Sequence, residues 1–262
     1  MKLYPKIEIL QLIKKFAQEN ANPIIEILGP TASGKTGFSV EVAKKISPSE
    51  ILSVDSRQIY QEMDISSAKV TAQEMQGIPH WGLDLIRPDA TFSAYDFQKY
   101  AFDCIDRIRS RGALPILCGG TMLWLDAISE NYIFHETPNK KSVQRGKPRF
   151  PVLKIGLHWD RKTLYERIDT RAEWQFEHGL IEETEKILKK YTLSRSALTS
   201  FGYREIKDFL DGRIDREEAL RRNQKRNRNY AKRQLTWWRG REDVIWVDGA
   251  ELGVFENLHN KT

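Results

Sequence analysis

The chain alternates short apolar runs with longer stretches in which apolar residues recur every three or four positions. In "KIEILQLIKKFAQE" (6–19), Ile9, Ile13 and Phe16 fall on one side with Leu12 beside them, the spacing of an amphipathic helix that packs on the domain. Pro23 ends it, and "IIEIL" (24–28) reads as a short buried strand. Three further apolar runs, "EILSVD" (50–55), "LPILCGG" (114–120) and "PVLKIGLHW" (151–159), also read as strands, and "DVIWVDG" (243–249) as a fifth. Helical stretches separate most of them, such as "SAYDFQKYAFDCIDRIRSRG", with Ser93 as N-cap and Gly112 as stop. This alternation predicts an α/β fold with a parallel sheet flanked by helices on both faces. From residue 160 to about 238 the pattern is helical, broken by turn signals in "EHG" and "FLDGRID". Residues 136–150, "ETPNKKSVQRGKPRF", are polar and basic with two prolines and read as a loop.

One stretch names a chemistry. "GPTASGKT" (29–36) is G-x-x-x-x-G-K-T, set between a strand and the helix "TGFSVEVAKKI", which is the context a phosphate-cradling loop requires. Gly29 and Gly34 let successive N–H groups point at an anion, Lys35 adds a charge, Thr36 is a candidate Mg²⁺ ligand, and the helix contributes its positive end. The signal is for phosphate or pyrophosphate and does not say whose. Parallel sheets present ligands at the carboxyl ends of their strands, so Asp55, at the end of "VDSRQIY", belongs near the same edge. A general base, a metal-associated acid and a turn-capping residue are all compatible with it. Gly119, Gly120 and Thr121 end the next strand there, and two glycines suit either close approach of a ligand or a tight turn.

Composition narrows the class. The 262 residues are 40% hydrophobic and 30% charged, the balance of a soluble globular domain with at most a small extra lobe. Cys104 and Cys118 form no C-x-x-C or Cys/His cluster, and the five histidines have no ligand spacing, which argues against a disulfide framework or zinc site. No apolar run is long enough to span a membrane and no secretory core opens the chain, so a cytoplasmic protein is expected. The net charge of +6 is concentrated late. "RRNQKRNRNYAKR" (221–233) holds Arg221, Arg222, Lys225, Arg226, Arg228, Lys232 and Arg233 without an acid, and positions 221, 225, 228 and 232 share a helical face. Charge runs are often solvated surface, but seven basic groups with no compensating acid repel one another, so a polyanionic partner is expected.

Taken together, "GPTASGKT", "VDSRQIY", "MDISSAKV", "GIPHWGLDLIRPDATFSAYDF", "GGTMLW", "GLHWDRKTLYERI", "GLIEE", "FGYREI" and "YAKRQLTWWR" resemble, in content and order, the tRNA dimethylallyltransferases. The resemblance covers about residues 24–248. It implies a P-loop nucleoside-triphosphatase-like domain over 23–262, preceded by a helical extension over 1–22. In this family the loop holds the diphosphate of dimethylallyl diphosphate rather than a nucleotide. Gly29, Thr31, Ala32, Ser33, Gly34, Lys35 and Thr36 would then bind the donor, with Mg²⁺ on Thr36. Asp55 would be the base that takes a proton from N6 of adenosine 37 in the anticodon stem-loop, with Thr121 near the reacting adenine. Ser56, Arg57 and Gln58, with Gly202, Tyr203 and Arg204, match segments that contact tRNA, and Arg221, Lys225, Arg228 and Lys232 would grip its phosphates. A monomer is expected.

The chain also departs from the family. Only residues 126–150 stand where relatives carry a helical lobe that clasps the anticodon stem, and no R-A-L-E-like segment follows. An arginine that helps hold the diphosphate in relatives therefore lacks an obvious counterpart. Lys140, Lys141, Arg145, Lys147 and Arg149 are candidates for a compact substitute grip, and Val70 stands where relatives have proline. Three other readings share parts of the pattern: an adenylate dimethylallyltransferase acting on free AMP, ADP or ATP, a small-molecule kinase, and a non-catalytic tRNA-binding homologue. The basic helix favours tRNA over the first two. The intact set Lys35, Thr36, Asp55 and Thr121 favours catalysis over the third.

Overall fold

A computed structural model describes residues 2–137 and 140–252. The first half contains β1 (Leu3–Tyr4), α1 (Lys6–Glu19), β2 (Ile24–Leu28), α2 (Lys35–Lys45), β3 (Ser49–Val54), α3 (Ala72–Met75) and β4 (His80–Trp81). There follow α4 (Ala94–Ser110), β5 (Leu114–Gly119), α5 (Met122–Ser129), β6 (Ile133–Thr137), β7 (Lys140–Gln144) and β8 (Val152–His158). The remainder is α6 (Arg161–Glu177), α7 (Leu180–Lys190), α8 (Arg195–Leu198), α9 (Tyr203–Leu210), α10 (Arg216–Trp238) and β9 (Val244–Asp248).

Seven strands form one parallel sheet in the order β1-β9-β8-β2-β5-β3-β4. Helices cover both faces of its middle strands, so every residue of β2 and β3 is buried, the polar Glu26, Ser49, Glu50 and Ser53 included. One core lies between the sheet and α4, α5 and the C-terminal helices, around Phe97, Trp124, Tyr203 and Trp238. The other lies against α1 and α2, where Ile9 and Ile13 dock beside Phe38, Val42, Ile155 and Val247. Leu3 and Tyr4 pair with Trp246 and Val247, so the chain's beginning supplies the sheet's edge strand.

The expected strands and long helices are present with boundaries within a residue or two. The segment 136–150 is a correction. Ile133–Thr137 and Lys140–Gln144 pair antiparallel as a hairpin, with Phe134 opposite Val143, although Pro138 and Asn139 lie outside the described residues. Charge and proline concealed the β-forming residues on either side of positions 138 and 139. No helix among the described residues is long and apolar enough to cross a membrane.

Glu26, in the middle of β2, is fully buried and opposite Lys154 of β8. Its carboxylate oxygens have no hydrogen-bond partner among the described residues, while Lys154 is taken by Asp243 at 2.7 Å. Burial pushes the Glu26 carboxyl up to about 7, opposed by the charge of Lys154. Because the folded value is raised above 4.5, this group's contribution is favourable below that pH and is lost as pH rises through about 7. Glu26→Gln should match the parent in stability near pH 5 and exceed it at pH 8 by about 1–3 kcal/mol. Urea unfolding at the two pH values measures this, and an equal difference at both would contradict it.

Candidate active site

The register of the central strands assembles the site. Leu28, Gly119 and Val54 lie side by side across β2, β5 and β3, so the residues that leave these strands, Gly29, Gly120 and Asp55, emerge at one edge. A cavity of about 470 Å³ opens there, lined by the loop 31–37, Asp55, Arg57 and Gln58, residues 66–68, Gly120, and side chains from α6 and α10.

The loop's backbone is organised for an anion. Gly34 has φ 88°, a left-handed conformation that suits glycine, and α2 begins at Lys35 with no side chain capping its first N–H groups. The loop's carbonyls point elsewhere and are taken up: Pro30 O by Lys35 Nζ at 2.8 Å, Ala32 O by Arg167 Nε at 2.8 Å and Ser33 O by Trp159 Nε1 at 3.0 Å. Arg171, one turn beyond Arg167 on α6, donates to the Thr31 hydroxyl. Three cations therefore surround one loop. Burial pushes Lys35 down to about 8 and Arg171 down to about 10, with the charge of Asp55 opposing both shifts.

Across the cavity, Asp55 Oδ1 accepts from the Arg57 N–H at 2.8 Å. Its other oxygen has no hydrogen bond among the described residues. Thr121 Oγ1 accepts from the Ser56 N–H at 2.9 Å, which ties Thr121 to the aspartate's neighbour. Tyr230 of α10 donates to Gly120 O at 3.1 Å, and burial, aided by the charge of Asp55, pushes its phenol up to about 12, so it remains protonated.

The structure distributes the remaining candidates unequally. Arg57 and Gln58 line the cavity, but their polar ends are occupied: Arg57 by Ser196 and Thr199, Gln58 by Ser53 and Ala68. Gly202 and Tyr203 are buried, and the Tyr203 hydroxyl donates to Glu183 at 3.1 Å, so only Arg204 of that trio is exposed. On α10 the cations do have acids, which corrects the reading of a self-repelling run. Glu218 takes Arg221 and Arg222, Glu205 takes Arg226, and Asp169 takes Arg228. Those acids sit on earlier turns and other helices, outside the 221–233 window. Lys225, Lys232 and Arg233 have no ion pair among the described residues, and all three are exposed. Of the cations around the hairpin, Arg145 pairs with Glu130 at 2.7 Å and Arg149 stacks on Phe102. The side chains of Lys140 and Lys141 lie outside the described residues.

Sequence reading missed Arg167 and Arg171. Their spacing of four was visible, but nothing in "LYERIDTRAEW" marks which face of that helix meets the loop.

Residues 58–145 and 133–241 match the family model described as "IPP transferase". A tRNA dimethylallyltransferase of Staphylococcus saprophyticus is 32% identical over 90% of this chain and 95% of its own length. The chain belongs to the IPP transferase, or tRNA dimethylallyltransferase, family. A further family member, from Staphylococcus epidermidis, is 34% identical over 88% of each chain. The crystal structure of a tRNA isopentenylpyrophosphate transferase from Bacillus halodurans aligns with TM-score 0.80 at 32% identity, covering 87% of this chain and 90% of that one. A eukaryotic dimethylallyltransferase described as acting on tRNA shares the fold, with TM-score 0.76 at 20% identity, covering 90% of this chain and 76% of that one. The two matched segments overlap at 133–145, which takes in the paired strands β6 and β7.

Two measurements test the anion cradle. Removing Arg171 as Arg171→Ala should weaken diphosphate binding roughly ten- to hundredfold, the loss of one or two charge-assisted hydrogen bonds. Because Lys35 is cationic only below about 8, diphosphate affinity should fall as pH rises through that value. Titration calorimetry from pH 7 to 9 reads both effects, and a flat profile would count against Lys35 as a ligand.

Proposed function

We propose that this enzyme transfers a dimethylallyl group from dimethylallyl diphosphate to N6 of adenosine 37 of tRNA and releases diphosphate. The observation that carries the reading is the cavity in which a loop ringed by Lys35, Arg167 and Arg171 faces Asp55, whose neighbour Ser56 is bonded to Thr121, in a chain of this family. The diphosphate lies against the loop's N–H groups and the start of α2, so the charge that develops on the leaving group is met by preorganised donors. As the C1–O bond of the donor breaks and the C1–N6 bond forms, the N6 proton passes to the open oxygen of Asp55. N6 is a weak nucleophile because its lone pair is shared with the ring, so removing that proton in step with attack raises its reactivity.

Thr36 fits Mg²⁺. Its hydroxyl has no hydrogen bond among the described residues, and no acidic or His/Cys cluster there offers an all-protein cage, which suits an ion held mainly by diphosphate oxygens and water. The ion would add charge neutralisation at the leaving group.

Exposed Lys225, Lys232 and Arg204 supply the tRNA phosphate contacts, joined by Arg221 and Arg228, whose ion pairs at partly exposed positions cost little to exchange. Each phosphate engaged adds about 0.9 to the salt slope of binding, so affinity should fall steeply with ionic strength. The adenine leaves its stack to reach Asp55, an extrusion that is least costly in a single-stranded loop.

The test supplies labelled dimethylallyl diphosphate and Mg²⁺ with unmodified tRNA carrying A36-A37, or with AMP. Label should enter tRNA, and Asp55→Ala should lower the rate by about 100-fold or more. Label entering AMP alone would replace this reading with an adenylate dimethylallyltransferase.

A further inference from the structure

We infer that Gln234 is a positioning residue that sets the spacing between the donor loop and the turn carrying Thr121. This rests on the transferase reading above.

Gln234 is 1% exposed and projects from α10 between the two halves of the site. Its Oε1 accepts from the Thr31 N–H at 2.8 Å, and its Nε2 donates to Gly120 O at 2.8 Å. One partner can only donate and the other only accept, so the amide has a single satisfying orientation. A side chain at position 120 would push this amide aside, since a Cβ there would lie 2.5 Å from Gln234 Nε2. Tyr230, one turn earlier, donates to the same carbonyl. No strand pairing joins the residues that hold the diphosphate to the turn that presents Thr121, since both lie beyond the last paired positions, Leu28 and Gly119. The Gln234 amide makes that join.

A group that spans the donor side and the acceptor side acts on the alignment of the reacting atoms more than on the affinity for either substrate. Misplacement by about 1 Å costs on the order of 100-fold in rate. Gln234→Met keeps the length of the side chain and loses both hydrogen bonds. Tyr230→Phe removes only the second bond to Gly120 O.

The experiment is a single turnover at saturating dimethylallyl diphosphate and tRNA, with binding of pyrophosphate and of tRNA titrated separately. The rate constant of a single turnover does not depend on the fraction of molecules that are folded, so it separates alignment from stability. Gln234→Met should lower it by about 100-fold while both affinities stay within about threefold, and Tyr230→Phe should lower it by about 3- to 10-fold. An unchanged rate constant in Gln234→Met, or a loss confined to affinity, overturns the inference. If Gln234→Met does not fold, an unchanged rate constant in Tyr230→Phe does the same. Wild-type protein that transfers no label overturns the transferase reading and this inference together; wild-type transfer with unaffected variants overturns this inference alone.

Discussion

A backbone that turns consecutive N–H groups toward an anion must dispose of the carbonyls that face the other way, and much of the site is arranged around that constraint. Lys35, Arg167 and Trp159 take the carbonyls of Pro30, Ala32 and Ser33. Those donors come from the start of α2, from α6 and from the residue that follows β8, so three separate parts of the chain hold the loop. Gln234 holds the Thr31 N–H. The loop is therefore shaped before any ligand arrives, and ligand binding does not have to supply the ordering. The cost is three cations near one another, and burial lowers the pKa of Lys35 and Arg171 accordingly.

Several features were legible in the sequence because they are local. The strand, glycine loop and helix of 24–45 announce themselves by pattern, and a parallel sheet places Asp55 and Thr121 on the loop's edge once strands 50–55 and 114–120 are recognised. What remained hidden depends on which face of a helix meets which neighbour. Arg167 and Arg171 look like ordinary surface arginines in a polar helix until α6 is laid beside the loop. Tyr203 looks like a contact residue until the packing of α9 turns it toward Glu183. The two-residue strands β1 and β4 carry no periodicity to read, and the hairpin at 133–144 is obscured by its own charge.

Helix α10 faces two ways at once. Its outer face presents Lys225 and Lys232, while its inner face sends Tyr230 and Gln234 to Gly120. One helix thus joins an exposed basic face to the edge of the sheet where the cavity opens. From the side of α6, Arg167 and Arg171 reach the same loop through Ala32 O and the Thr31 hydroxyl.

A loop of this build should prefer a prenyl diphosphate to a nucleoside triphosphate. Competition binding with Mg²⁺ between dimethylallyl diphosphate and ATP is the measurement that decides between them. Dimethylallyl diphosphate should bind tighter by about tenfold or more, a difference of at least about 1.4 kcal/mol. Tighter binding of ATP, with its hydrolysis or phosphoryl transfer, would contradict it.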